Sequence, residues 1–154
     1  MPELYIKIFD VKYEIKIKNQ LSENRIIFFG LQKNLEIMDT NKAKEFFVDT
    51  TFKIIPSRFR HYKLFVICGI SIEDKIPKIF SMVLTKYTDN ISYSKIFDYL
   101  YNNYNFKPKI IHNDFESSLS QAINENANIN KELIHTRCFI HFSNMIKKNY
   151  PKQE

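Results

Sequence analysis

A chain of 154 residues with 44% hydrophobic and 26% charged side chains sits near the globular average, which argues for one folded domain and against a disordered or fibrous class. Its net charge of +6 suits a nucleic-acid partner, but a genome whose AT-rich codons favour Lys, Ile, Asn, Phe and Tyr gives the same balance in an ordinary enzyme. No run approaches the roughly 18 apolar residues of a membrane span, Met1 to Lys7 lack a signal-like apolar stretch, and Cys68 and Cys138 stand in dissimilar contexts that make no disulfide framework. A reducing intracellular compartment is expected.

Val11, Tyr13, Ile15 and Ile17 alternate with Lys12, Glu14, Lys16 and Lys18, the period of a half-exposed strand. Arg25 to Phe29 reads as a second short strand, and Leu31, Leu35 and Met38 then fall at helical spacing. Glu45 to Lys53, Lys63 to Ile72 and Pro77 to Lys86 are rich in β-branched and aromatic residues, which predicts three sequential antiparallel strands. A helix follows from Ser92 to Tyr104, with Asp89, Asn90 or Ser92 as its cap and Pro108 as its stop. Lys109 to Asn113 is a short strand whose adjacent isoleucines suggest burial on both faces. A helix from Phe115 to Asn126 shows Phe115, Leu119, Ala122 and Ile123 as its apolar stripe, Leu133 to Ile140 is a further strand, and Ser143 to Asn149 opens a last helix.

From Glu45 onward the predicted order is β-β-β-α-β-α-β followed by a helix. It predicts an α/β fold with a ribonuclease-H-like mixed sheet, three antiparallel strands being extended by parallel ones through helical crossovers. Residues 1–44 form an N-terminal extension of strands and a short helix, and residues 45–154 form the core.

Two acids carry the chemistry in this frame. Asp49 interrupts Phe46-Phe47-Val48-Asp49-Thr50-Thr51-Phe52, where a buried carboxylate needs a cation or a partner; an outward-facing acid on an edge strand is the alternative. Asp114 follows the strand Ile110 to Asn113, at the carboxyl end where binding groups gather in α/β sheets, and it reads equally well as a helix cap. The two strands are neighbours in a ribonuclease-H-like sheet, so the two carboxylates would meet as hard oxygen ligands for Mg²⁺ or Mn²⁺. Such ions promote in-line displacement at phosphorus.

Five ordered blocks then resemble the Mutator-like transposase domain: Asn24 to Gly30, Phe47 to Pro56, Leu64 to Gly69, Pro108 to Glu116, and Cys138 to Phe142. The resemblance covers residue 22 onward. It implies a DDE transposase acting in the nucleus on transposon ends and target DNA, with Asp49 and Asp114 as the first two catalytic, metal-binding acids. Thr50 departs from the family's glycine in its Asp-Gly-Thr-Phe block. The family's third acid, a glutamate, comes after a helical insertion, and the sequence stops as that insertion would begin, which implies a core fragment inactive by itself. A non-catalytic DNA-binding or interaction module is the competing expectation.

Cys138 and His141 match a Cys-x-x-His motif of the family and would be half of a zinc site, with His135 as the nearby extra candidate; four ligands are normally needed, and a buried thiol beside a packed histidine is the plainer reading. The loop Lys53 to Lys63 carries Lys53, Arg58, Arg60 and Lys63 interleaved with Phe59 and Tyr62, a mixture suited to DNA phosphates and bases and also to a solvated basic loop. Cys68 is expected in the core.

Overall fold

The alternation read at the N-terminus builds a long hairpin. In the computed structural model, which describes residues 6–17, 20–51, 55–129, 131–138 and 143, β1 (Ile6–Ile17) pairs antiparallel with β2 (Gln20–Leu31). Both strands outrun the expected ones, because each supplies the other's backbone partners along its whole length. Phe9, Val11 and Tyr13 turn toward the core while Lys12, Glu14 and Lys16 are exposed.

Helix α1 (Gln32–Asp39) follows at once and buries Leu35 and Met38, the positions its spacing marked. A meander of β3 (Ala43–Thr51), β4 (Lys63–Ser71) and β5 (Pro77–Thr85) is antiparallel throughout. Helix α2 (Asn90–Tyr104) starts on Asp89, whose carboxylate accepts from the Ser92 amide at 2.8 Å, and ends at Asn105 in the left-handed conformation. Strand β6 (Ile110–Asn113) runs parallel to β3, helix α3 (Ser117–Glu125) crosses over, and β7 (Ile134–Arg137) runs parallel to β6. The seven strands lie in the order β1-β2-β5-β4-β3-β6-β7. The chain is therefore a mixed α/β protein in which the N-terminal hairpin belongs to the main sheet, because β2 pairs with β5.

One face of the sheet supplies Phe46, Val48, Phe65, Ile67, Phe80 and Val83, which meet Tyr93, Ile96, Phe97 and Leu100 of α2 and Leu119 and Ile123 of α3 in one cluster. Each such side chain contributes roughly 1.5–3 kcal/mol by leaving water. Phe46 lies edge-on to Phe80 at 5.4 Å and to Phe106 at 4.8 Å. A Cβ at Gly69 would stand 2.8 Å from both the Phe46 and Phe80 rings, so the residue must be glycine for the aromatic rings to close.

The opposite face departs from expectation. No described helix covers it, and Phe47, Ile79 and Met82 are 40%, 48% and 39% exposed. For the same reason Ile110 is only half-buried beside fully buried Ile111, and Cys68 is half-buried rather than a core residue. Phe115 is exposed too, since α3 begins at Ser117, and its ring lies under the Arg137 guanidinium at 5.6 Å. Of the expected last helix only Ser143 is described, and the expected strand beyond Cys138 lies outside the described residues. No helix among the described residues is long and apolar enough to cross a membrane.

Candidate functional site

Strand register decides where the two aspartates stand. Phe47 lies opposite His112 across the parallel β3–β6 pair, and the two rings stack 4.4 Å apart on the helix-free face. The pairing ends at Phe47 and His112; Asp49 comes two residues further along β3 and Asp114 two residues beyond His112, just past the end of β6. Continuing the register by two residues would set them at the same level of neighbouring strands, which run about 4.8 Å apart. Burial follows the alternation: Val48 and Asn113 are buried, while Asp49 is exposed and Asp114 half-exposed. Asp49 thus faces outward, but on an interior strand between β4 and β6 and not on an edge.

Each carboxylate is oriented by the backbone. Asp49 Oδ1 accepts from the Thr50 amide at 2.9 Å, and Asp114 Oδ1 accepts from the Glu116 amide at 2.9 Å. The second bond corrects the reading of Asp114 as a helix cap. The cap of α3 is Glu116, whose side chain makes no capping bond, and Asp114 instead ties down the turn before it.

Glu116 falls within the span expected to be helical and is not among the expected site residues, yet it stands as the cap of α3 beside Asp114. Its carboxyl group is held above the usual carboxylate range, first by burial and then by the charges of Asp114 and Asp49, against a Tyr93 hydrogen bond and the Lys63 charge that act the other way. Three carboxylates therefore share one electrostatic neighbourhood. Tyr93, from the first turn of α2, donates to Glu116 Oε1 at 2.8 Å and lies 2.7 Å from Thr50 Oγ1; because the phenol proton goes to Glu116, Thr50 is the donor in the second bond. The phenol is pushed far up, mainly by burial, and stays a neutral donor. Thr50 thus supplies a hydroxyl to the site.

Two cations flank the acids. Lys63 opens β4 beside the end of β3 and donates from Nζ to Thr88 Oγ1 at 3.1 Å. Arg137, at the end of β7, donates from one guanidinium nitrogen to the Asp114 carbonyl at 2.9 Å and to Ser120 Oγ. The sequence carried no signal for Arg137, since only the β6–β7 pairing brings it to Asp114.

The sequence matches no protein-family model and no curated protein.

The remaining expected site residues scatter. Arg58 lies on a short 3-10 turn (Ser57–Phe59), and it and Arg60 are exposed, whereas Lys63 is half-buried beside the acids. Lys53 lies outside the described residues. Phe59 and Tyr62 pack edge-on to each other at 5.9 Å, and Lys86 sits 5.9 Å over the Tyr62 ring, so the two aromatics are engaged within the protein. Cys138 is half-buried, with its amide donating to the Asn113 carbonyl at 2.7 Å. Its expected partner His141 lies outside the described residues. His135 does not fit as an extra ligand, because Nδ1 lies 2.9 Å from Asn124 Oδ1 and Nε2 lies 2.6 Å from Asn113 Oδ1. Among the described residues no three His, Cys, Asp or Glu side chains form a metal-holding group.

Asp49 and Asp114 still suit a hard divalent ion. Mg²⁺ takes oxygen ligands at about 2.1 Å, keeps several waters, and is commonly bound through one or two carboxylates plus substrate phosphate. The charge crowding on Glu116 is of the sign that such an ion relieves.

Proposed function

We propose that this chain is a metal-binding, DNA-processing core of ribonuclease-H-like topology, related to the Mutator-like DDE transposases that its motifs resemble. Asp49 and Asp114 are the acids that hold Mg²⁺ or Mn²⁺, and the bound ion supplies activation and charge neutralisation at a DNA phosphodiester. The single observation that supports this reading is the parallel β3–β6 pairing, whose continuation by two residues brings Asp49 and Asp114 to the same carboxyl end of neighbouring strands. Around them, Thr50 and Tyr93 hold Glu116, while Lys63 and Arg137 offset the negative charge at the rim. Exposed Arg58 and Arg60 contribute phosphate contacts that orient duplex DNA without reading its sequence. The reading carries a nuclear location with it.

Direct titration with Mn²⁺ tests the proposal. Saturable binding that disappears in both Asp49→Ala and Asp114→Ala is expected, and binding indifferent to either substitution would refute it. No residue after Asp114 matches the family's third acid, so strand cleavage by this polypeptide alone is not expected with either metal.

A non-catalytic DNA-binding module is the second reading, supported by the exposed arginines on the 3-10 turn. It requires affinity for duplex DNA that falls steeply with salt as counterions are released, and that Arg58→Ala with Arg60→Ala weakens while Asp49→Ala does not.

A further inference from the structure

The opposite end of the same strands carries the opposite charge. Lys44 at the start of β3, Lys107 and Lys109 before β6, and Lys131 before β7 line a pocket of about 400 Å³ with Tyr101 from the last turn of α2. The only acid in its wall is Glu132, and no ion pair joins Glu132 to any of the four lysines among the described residues.

The sheet itself builds the cluster. The Lys109 amide donates to the Lys44 carbonyl at 2.8 Å, and the Ile134 amide donates to the Lys109 carbonyl at 2.8 Å, which fixes the backbones of Lys44 and Lys109 side by side. Lys107 Nζ rests 5.9 Å over the Tyr101 ring, and Lys44 Nζ donates to Asn41 Oδ1 at 2.9 Å, a neutral partner. The Lys44 ammonium is held below its usual range, first by burial and then by the charges of Lys109 and Lys107. Like charges are thus gathered in a concave site without the carboxylates that normally offset them.

We infer that this pocket binds a phosphate-bearing anion. Four ammonium groups against one carboxylate match a multiply charged pyrophosphate or nucleoside polyphosphate better than a single carboxylate. Lysine suits phosphate as a mobile point charge, and the volume falls within the roughly 300–1,000 Å³ of small-molecule sites. The Tyr101 ring offers a flat apolar surface beside the charges.

Calorimetric titration of the full chain with pyrophosphate and with ATP, at ionic strength held constant with sodium chloride, tests the inference. Saturation by pyrophosphate below about 1 mM is expected, weakened at least about tenfold in the paired variant Lys107→Glu, Lys131→Glu, whose positions are exposed and whose fold is checked by circular dichroism. Asp49→Ala should leave this binding unchanged, which separates it from the metal site. Equal affinity for the two probes marks a site that reads phosphate alone, and tighter ATP binding that Tyr101→Ala removes marks one that also reads the base. No saturation by either probe, or undiminished affinity in the folded paired variant, overturns the inference.

Discussion

The two ends of the parallel strands β3, β6 and β7 are built from the same hydrogen-bond ladder and carry opposite chemistry. At the carboxyl end burial, and after it the charges of Asp114 and Asp49, raise the Glu116 pKa; at the amino end burial, and after it the charges of Lys109 and Lys107, lower that of Lys44. Helix geometry reinforces the split. Helix α3 brings its amino terminus to the acids and its carboxyl terminus toward the lysines, the polarity that favours each charge. Like charges held together by a rigid sheet are a cost in the empty protein and a gain once a counter-ion arrives. Each end therefore defines its own ligand by sign, and the two are separable by experiment.

The largest effect is expected from breaking the acidic end. Asp49→Ala or Asp114→Ala removes one of two protein ligands and should abolish saturable Mn²⁺ binding, a loss larger than the roughly 10–100-fold that removing an outer-shell partner causes, read by calorimetry or by paramagnetic broadening of nearby amide resonances. The paired lysine variant should leave that affinity within about twofold, since Lys44 and Asp49 lie five residues apart on β3, about 16 Å at roughly 3.3 Å per residue and beyond a Debye length of about 8–10 Å at moderate salt. A metal affinity that follows the lysines would erase the contrast between the ends.

A smaller effect tests what holds the acidic end in shape. Tyr93→Phe deletes both the bond to Glu116 and the one from Thr50, leaving their partly buried oxygens without that partner, and should cost about 1–3 kcal/mol in urea unfolding. It should also raise the Glu116 pKa further, because the phenol bond is among the influences now lowering it; carboxyl-carbon NMR reads that shift. Unchanged stability together with an unchanged Glu116 titration would mean that the Thr50-Tyr93-Glu116 chain positions nothing.

Much of this architecture was legible because it rests on period. The alternation in β1 and the helical spacing of Leu35 and Met38, and of Ile96, Phe97 and Leu100, predict the buried faces correctly. Asp49 and Asp114 were legible as acids out of place, one in a strand and one at a strand end. Glu116 was not, because its importance comes from proximity to Asp49, a residue far away in sequence, and because a glutamate beside a helix start is ordinary. Arg137 and the lysine pocket were hidden for the same reason: lysine is abundant throughout the chain, and only the parallel pairing of β3, β6 and β7 gathers four of them. The half-buried state of Ile110 and Cys68 was also invisible, since a run of apolar letters does not say whether one or both faces of a sheet are covered.

The finest test of the contrast is a titration at Glu116. Its folded-state pKa is raised above the ordinary 4.5, so below pH 4.5 it is protonated whether the chain is folded or not, and it then imposes no penalty. As pH rises past 4.5 the unfolded chain releases this proton before the folded one does, and stability falls until the folded carboxyl also ionises, after which the loss is constant. Glu116→Gln keeps an oxygen for the Tyr93 hydroxyl and removes the charge. The variant's advantage over the parent should therefore grow across the window that opens at pH 4.5 and then level off, and saturating Mg²⁺ should shrink it by favouring the ionised carboxylates. An advantage that is the same at every pH would mean that neither burial nor the charges of Asp114 and Asp49 raise the Glu116 pKa, and the acidic end would reduce to its two aspartates.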